Sequence, residues 1–490
     1  MPILNYTTPG VYVQQTNNAA LTSVNSTALN ICILSSGTLP NATTTEKFQA
    51  TTVSGQTFTL AQTGAIASSL AMTDNSTGKV VPSGTMGVTP TGSWTVNGTT
   101  LTISGFPVNT WLNATYNYPS AAFNTVYQFS DFNTLQSTFG APFTYISGTA
   151  SVNSPISLAS YLAFQNGAQL LSCVLVSGGT PDNFFSVISG AITNAGSAID
   201  VLVPLYYDSQ YNTSVTSSGL YPAISNWLNA QANNGIYQRA FLGLDSSVTN
   251  TSVNTQGGLL NTVKNITANI PNTRLALVAP DQITINPGLN SATGLATGTV
   301  NIAGYYLAAA LAGTFVGQTD VYVPITRKQV NGFSSIPNQI STADSNSLQA
   351  YGSTVVRQER DGTMYIRHGL TTNTTNWLTQ EISINAIGDR LADRVQYTLE
   401  QSGIIGGVMT PNTLATLQTI VASVLIQAQT DNLIQSYQNL TYTVVPPTSV
   451  NVTFQYSPTY PLNYVNVNFS LNAQTGSLQY NVQTPTNTAV

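Results

Sequence analysis

Between about residues 123 and 330, short continuous apolar runs alternate with stretches of helical spacing. Val174-Leu175-Val176, Ile199 to Val203, Arg239 to Leu244 and Arg274 to Val278 read as strands. The residues around Phe184, Phe185, Ile188 and Ile192 read as a helix between the first two. Strands apolar on both faces, separated by helices, predict an α/β sheet covered on both sides. The longest apolar stretch, Ala303 to Val316, is broken by Gly304 and Gly313 and falls short of the ~20 residues a membrane span needs, so it reads as a core helix.

The period changes on either side of this region. From 42 to 120 the pattern is short β-runs, with Ser93 to Val96 and Thr100 to Ile103 joined by an Asn97-Gly98 hairpin signal. This predicts a small all-β, sandwich-like module set into another domain. In the last third, Asp361-Gly362 predicts a two-residue hairpin turn. Ile384, Ile387, Leu391, Val395 and Leu399 recur at three and four, one face of a helix. Thr410-Pro411 caps a second helix carrying Leu414, Leu417, Val421 and Val424, and Val465, Val467, Phe469 and Leu471 alternate as a strand near the C-terminus.

Composition sharpens this picture. Of 490 residues only 6% are charged, where about 25% is usual, so Asn, Thr, Ser and Gln must wet the surface. Twelve Lys+Arg against seventeen Asp+Glu argue against nucleic acid or an anionic membrane as partner, since both reward many cations. Little mutual repulsion favours dense self-association over a freely diffusing enzyme. Seven of the cations and seven of the anions lie between Arg327 and Glu400, whereas residues 1–45 and 432–490 carry no charge. Neutral ends rich in β-formers can add as strands to another chain's sheet edge. The N-terminus lacks a cationic region followed by an apolar run, so it does not read as a secretory signal.

Candidate chemistry is sparse. Cys32 and Cys173 sit in apolar runs and read as buried thiols. With His368 they cannot fill a four-coordinate zinc site without a carboxylate. A nucleophile-histidine mechanism would run through His368, but no Gly-x-Ser-x-Gly elbow accompanies it. Ser177-Gly178-Gly179-Thr180 lacks the features of a phosphate loop and reads as a tight turn, and Glu359 with Asp361 as a solvated hairpin tip. No catalytic residue, metal or cofactor is expected. Asp389, Arg390, Asp393 and Arg394 form a polar stripe on the Ile384–Leu399 helix, facing either water or a partner.

An ordered set of segments resembles the contractile tail sheath proteins of bacteriophages. It comprises Pro9-Gly10-Val11-Tyr12-Val13, Phe129-Ser130-Asp131-Phe132 through Phe139-Gly140, and Leu158-Ala159 through Asn166-Gly167-Ala168. Tyr306 through Gly313, Gly369-Leu370-Thr371-Thr372, the Ile384–Leu399 helix and Tyr460-Pro461 to Leu471 follow in order. Only 42–120 stands apart. The resemblance implies a non-enzymatic subunit with a subtilisin-like α/β core lacking a working triad, an inserted all-β outer domain, an α+β C-terminal domain and extended N- and C-terminal arms. The implied division is arm 1–17, core 18–41 and 121–330, insertion 42–120, C-terminal domain 331–449, and strand and arm 450–490. Such subunits stack as six-fold rings around a tail tube, bounded by baseplate and tail terminator proteins, in a virion tail assembled in the host bacterial cytoplasm. Contraction drives the tube through the envelope. Arms exchanged between neighbours would carry Tyr6, Val11, Tyr12, Val13, Val465, Val467, Phe469 and Leu471. The tube-facing surface would fall on Asp389, Arg390, Asp393 and Arg394. A secreted surface lattice or adhesin is the alternative, and lacks the signal it would need.

Overall fold

The computed structural model describes residues 28–483 except 54, 63–64, 82–91, 147–148, 196–197, 215–217, 249–257, 289–297, 405–406, 446–448, 464–465 and 472–477. The frame is an eight-stranded sheet in the order Met364–Ile366, Ser353–Gln358, Leu275–Ala279, Arg239–Gly243, Val201–Pro204, Asn30–Ser36, Leu170–Val176, Tyr127–Phe129. The inner six strands run parallel, and the two edge strands are antiparallel to their neighbours. Parallel strands need both faces covered, which is why their sequences are continuously apolar. Ile31, Ile33, Leu171 and Cys173 face one core, beneath the helices Pro155–Gln165 and Gly304–Val316. Cys32, Leu34, Val174 and Val176 face the other, with residues of Leu220–Asn233 and Leu259–Asn269. The two cysteines thus sit on opposite faces as buried thiols, and burial pushes Cys173 up to about 12.

The Ala303–Val316 run forms the expected buried helix, Gly304–Val316. Its small residues let neighbouring backbone come close: a Cβ on Gly313 would lie 2.4 Å from the carbonyl oxygen of Ala163. Between Ser36 and Tyr127 the chain leaves the main sheet. It builds a four-stranded sheet (Asn41–Gln49, Trp111–Pro119, Ala71–Asp74, Val80–Val81) and a three-stranded one (Gln56–Thr59, Thr100–Ser104, Ser93–Asn97). They share a core of their own, including Phe48, Met72, Trp94, Leu101, Ile103, Leu112 and Tyr116.

Both predicted hairpins form, with shifted turns. Asn97 pairs with Thr100, so the turn is Gly98-Thr99, and Gly98 takes the positive φ of 59° that the turn requires. Beyond Gln358 and Met364, Glu359 and Thr363 also pair, leaving residues 360–362 as the turn, with Gly362 at φ 85°. The two-residue turn expected at Asp361-Gly362 is therefore corrected to three residues. The Asp361 carboxylate accepts from the Thr363 N–H across it.

The helices Ile382–Gln401 and Pro411–Thr430 pack on a two-stranded ribbon, Ile434–Val445 with Ser449–Pro458, around Ile387, Leu391, Leu417, Val421, Leu425 and Ile434. Thr410 caps the second helix through the Thr413 N–H, and Pro411 fills its first position, as the sequence predicts.

Candidate assembly interface

The stripe on the Ile382–Gln401 helix turns largely inward. Arg239 opens one parallel strand and Arg274 immediately precedes the next, so both guanidiniums reach out from the same end of the sheet. Asp389 meets both, with Oδ2 and Oδ1 each 2.5 Å from an Nη2, and the three side chains are only 7%, 20% and 12% exposed. Arg239 also lies over the Phe315 ring and Arg274 over Tyr237. A buried guanidinium needs a carboxylate, and removing one partner of such a set is costly. Arg394, past the middle of its helix, pairs with Asp431, just past Pro411–Thr430, at 2.6 Å, and Arg390 lies 3.6 Å from Asp393.

Asp200 lies at the same end of the sheet and accepts the Asn30 N–H at 2.7 Å. Its loss of solvent raises it to about 6; the hydrogen bond and Arg390 oppose the rise and Asp393 adds to it. The expectation that Asp389 presents its charge to water or a tube is thus corrected: it closes a joint inside the chain. The helix sequence alone cannot reveal this, because the counter-ions stand 150 and 115 residues away.

Tyr6, Val11, Tyr12, Val13 and Val465 lie outside the described residues. Val467, Phe469 and Leu471 fall on the strand Asn466–Leu471, paired antiparallel with Leu478–Gln483. Among the described residues this hairpin joins no other sheet, and neither does the ribbon 434–458. Among the described residues both edges of the ribbon are open; it carries no charged side chain, and Val444, Val445 and Tyr456 are exposed.

His368, unassigned by sequence, sits 2.5 Å from the buried Glu381. The pair came without a motif, its signal being a carboxylate at the start of the amphipathic helix, thirteen residues after the single histidine. Glu359 instead pairs with Arg327 on the exposed hairpin. Among the described residues no three His, Cys, Asp or Glu side chains gather as metal ligands, and no helix is long and apolar enough to cross a membrane.

This architecture is the fold of the sheath proteins of contractile injection systems. The chain matches the helical sheath of the anti-feeding prophage in its contracted state with a TM-score of 0.54 and 12% identity, covering 95% of this chain and 100% of that one. It matches the contracted sheath complex of the extracellular injection system PVC at 0.52 and 9%, covering 97% and 99%. In sequence, the chain is 27% identical over 375 residues to a protein named tail sheath protein from Mycobacterium phage Bxz1. The alignment takes in 75% of this chain and 60% of that relative's length. No protein-family model matches. The resemblance read from the ordered motifs and these independent matches name the same family.

Proposed function

We propose that this protein is the structural, non-enzymatic subunit of a contractile tail sheath. It polymerises as stacked six-fold rings around a tail tube and contracts to drive that tube through a host envelope. The observation that carries this reading is the agreement of fold, over nearly the whole chain, with sheath subunits in a contracted state. The eight-stranded body is the subtilisin-like core without a triad, and the β-sheets of 41–119 are an insertion carried on the outside. The open ribbon 434–458 receives strands from the uncharged ends of neighbouring copies, the N-terminal arm with Tyr6 and Val11–Val13 and the C-terminal arm with Val465–Leu471.

The Arg239–Arg274–Asp389 joint binds the sheet and the C-terminal helices into one body, so a turn of the core carries the ribbon and its tethers with it. Tube contact on this helix then falls to its more exposed pair, Arg390 and Asp393, whose side chains are 27% and 40% exposed. Partners are further copies, the tube, the baseplate and the tail terminator, in a virion tail put together in the host cytoplasm. Electron microscopy of the purified protein tests the reading. Striated tubes built of six-fold rings are expected; planar sheets would favour the surface-lattice alternative, and a persistent monomer at high concentration would defeat both.

A further inference from the structure

We propose that Glu381 and His368 form a seat that fastens the root of the C-terminal arm, with Asn463 as the fixed pivot from which the arm departs. The proposal rests on the arm reading above and specifies where the arm begins. Glu381 opens the helix Ile382–Gln401, and the residue is only 4% exposed. A carboxylate so buried must find donors nearby. Its Oε2 faces His368 Nε2 at 2.5 Å and accepts from the Asn463 amide at 3.3 Å, while Ser383 Oγ lies 3.4 Å from Oε1. Asn463 Nδ2 is also 3.1 Å from His368 Nε2. With its Nε2 proton turned to the carboxylate, the imidazole and the tail amide converge on one oxygen.

Both halves of the seat are held firmly. Leu370 bridges to Glu381, and the Ile382 N–H donates to the Gly369 carbonyl. Gly369 passes so close to Ile325 that a Cβ there would lie 2.6 Å from its Cγ1.

The segment leading to Asn463 is pinned step by step. Thr459 donates its hydroxyl to the Asn432 carbonyl at 2.5 Å, and the Tyr460 ring lies 5.3 Å from that of Trp377. Beyond Asn463 the hairpin 466–483 pairs with itself alone among the described residues. The segment follows directly from the ribbon strand Ser449–Pro458, whose last residue pairs with Ile434. A pull on an arm rooted only in that strand would peel the ribbon from its end. A pull on an arm pivoting at Asn463 is taken up by Glu381 and the body of the protein.

Hydrogen exchange of the backbone amides of Thr459, which donates to the Leu433 carbonyl, and of Tyr460, Leu462 and Asn463 in the unassembled full chain tests the seat, residues 458 and 461 being prolines without an N–H. Asn463→Asp sets one carboxylate against another, and exchange there should quicken about tenfold or more while the core stays protected. Combining it with Glu381→Gln lets the new amide donate to the new carboxylate, and exchange should return close to the wild-type rate. Unchanged exchange in the single variant, or no recovery in the double one, overturns the seat. Polymerisation of the wild-type chain is scored separately, so a protein that shows this exchange pattern but builds no tubes counts against the sheath reading and not against the seat.

Discussion

Asp200 shows at the scale of one residue how this fold handles its few charges. Taken out of water, its carboxyl ionises near pH 6, against about 3.9 in an unfolded chain. The folded form then holds the proton more tightly, so the contribution of Asp200 to stability is greatest at or below about pH 4 and falls as pH rises through this window. Above pH 6 the ionised group costs on the order of 3 kcal/mol. Asp200→Asn keeps an oxygen to accept the Asn30 N–H but removes the titration. Denaturant unfolding of the unassembled chain should show the variant more stable at pH 7, with a flatter stability profile between pH 4 and 6. A profile as steep as wild type would mean that Asp200 ionises normally. None of this is legible in the sequence, where Asp200 falls within the apolar run Ile199 to Val203. Its environment is set by Asn30, Arg390 and Asp393, which only the folded sheet brings close.

Elements were more legible than sites, for a physical reason. A strand buried on both faces and a helix with one apolar face record their surroundings in their own residues, as Leu170–Val176 and Ile382–Gln401 do. Turns depend on register across two strands, so the glycines at 98 and 362 mark the hairpins while the turn residues shift around them. The charged stripe of 389–394 is the harder case, since a helix reads the same whether its polar side meets water or buried arginines. The ribbon is the element whose proposed role can be tested most directly. Natural sheet edges use lysine to refuse further strands, and this one has none. Val444 and Val445 are 43% and 39% exposed, so Val444→Lys with Val445→Lys should leave unfolding of the monomer within about 1 kcal/mol of wild type. Sedimentation should nevertheless show polymer formation lost. Full polymerisation by this double variant would remove the ribbon as the site of strand addition.

Taken as a whole, the molecule turns a large share of its charge toward partners in its own chain. Asp200, Arg239, Arg274, Asp389, Arg390, Asp393, Arg394 and Asp431 lie along the joint between sheet and C-terminal helices, eight of 29 charged side chains in a balanced set. What remains for contacts between copies is mainly amide, hydroxyl and apolar surface, including the exposed Trp377, Tyr460 and Leu462 beside the arm's root. Lattices held by exposed ion pairs weaken as salt shortens the reach of charge from about 10 Å at 0.1 M to about 3 Å at 1 M. One held by backbone pairing and apolar contact has little to lose by that route, and salts excluded from protein surfaces strengthen it. The concentration at which this chain begins to polymerise should therefore change less than about threefold from 0.1 to 1 M sodium chloride, and fall in ammonium sulfate. The internal joint, shielded by its burial, should hold across the same range, so the monomer's unfolding midpoint serves as the control. A rise of ten times or more in the threshold with that midpoint unmoved would show that charged contacts between copies hold the lattice together, and the neutral ends would lose their place as its main tethers.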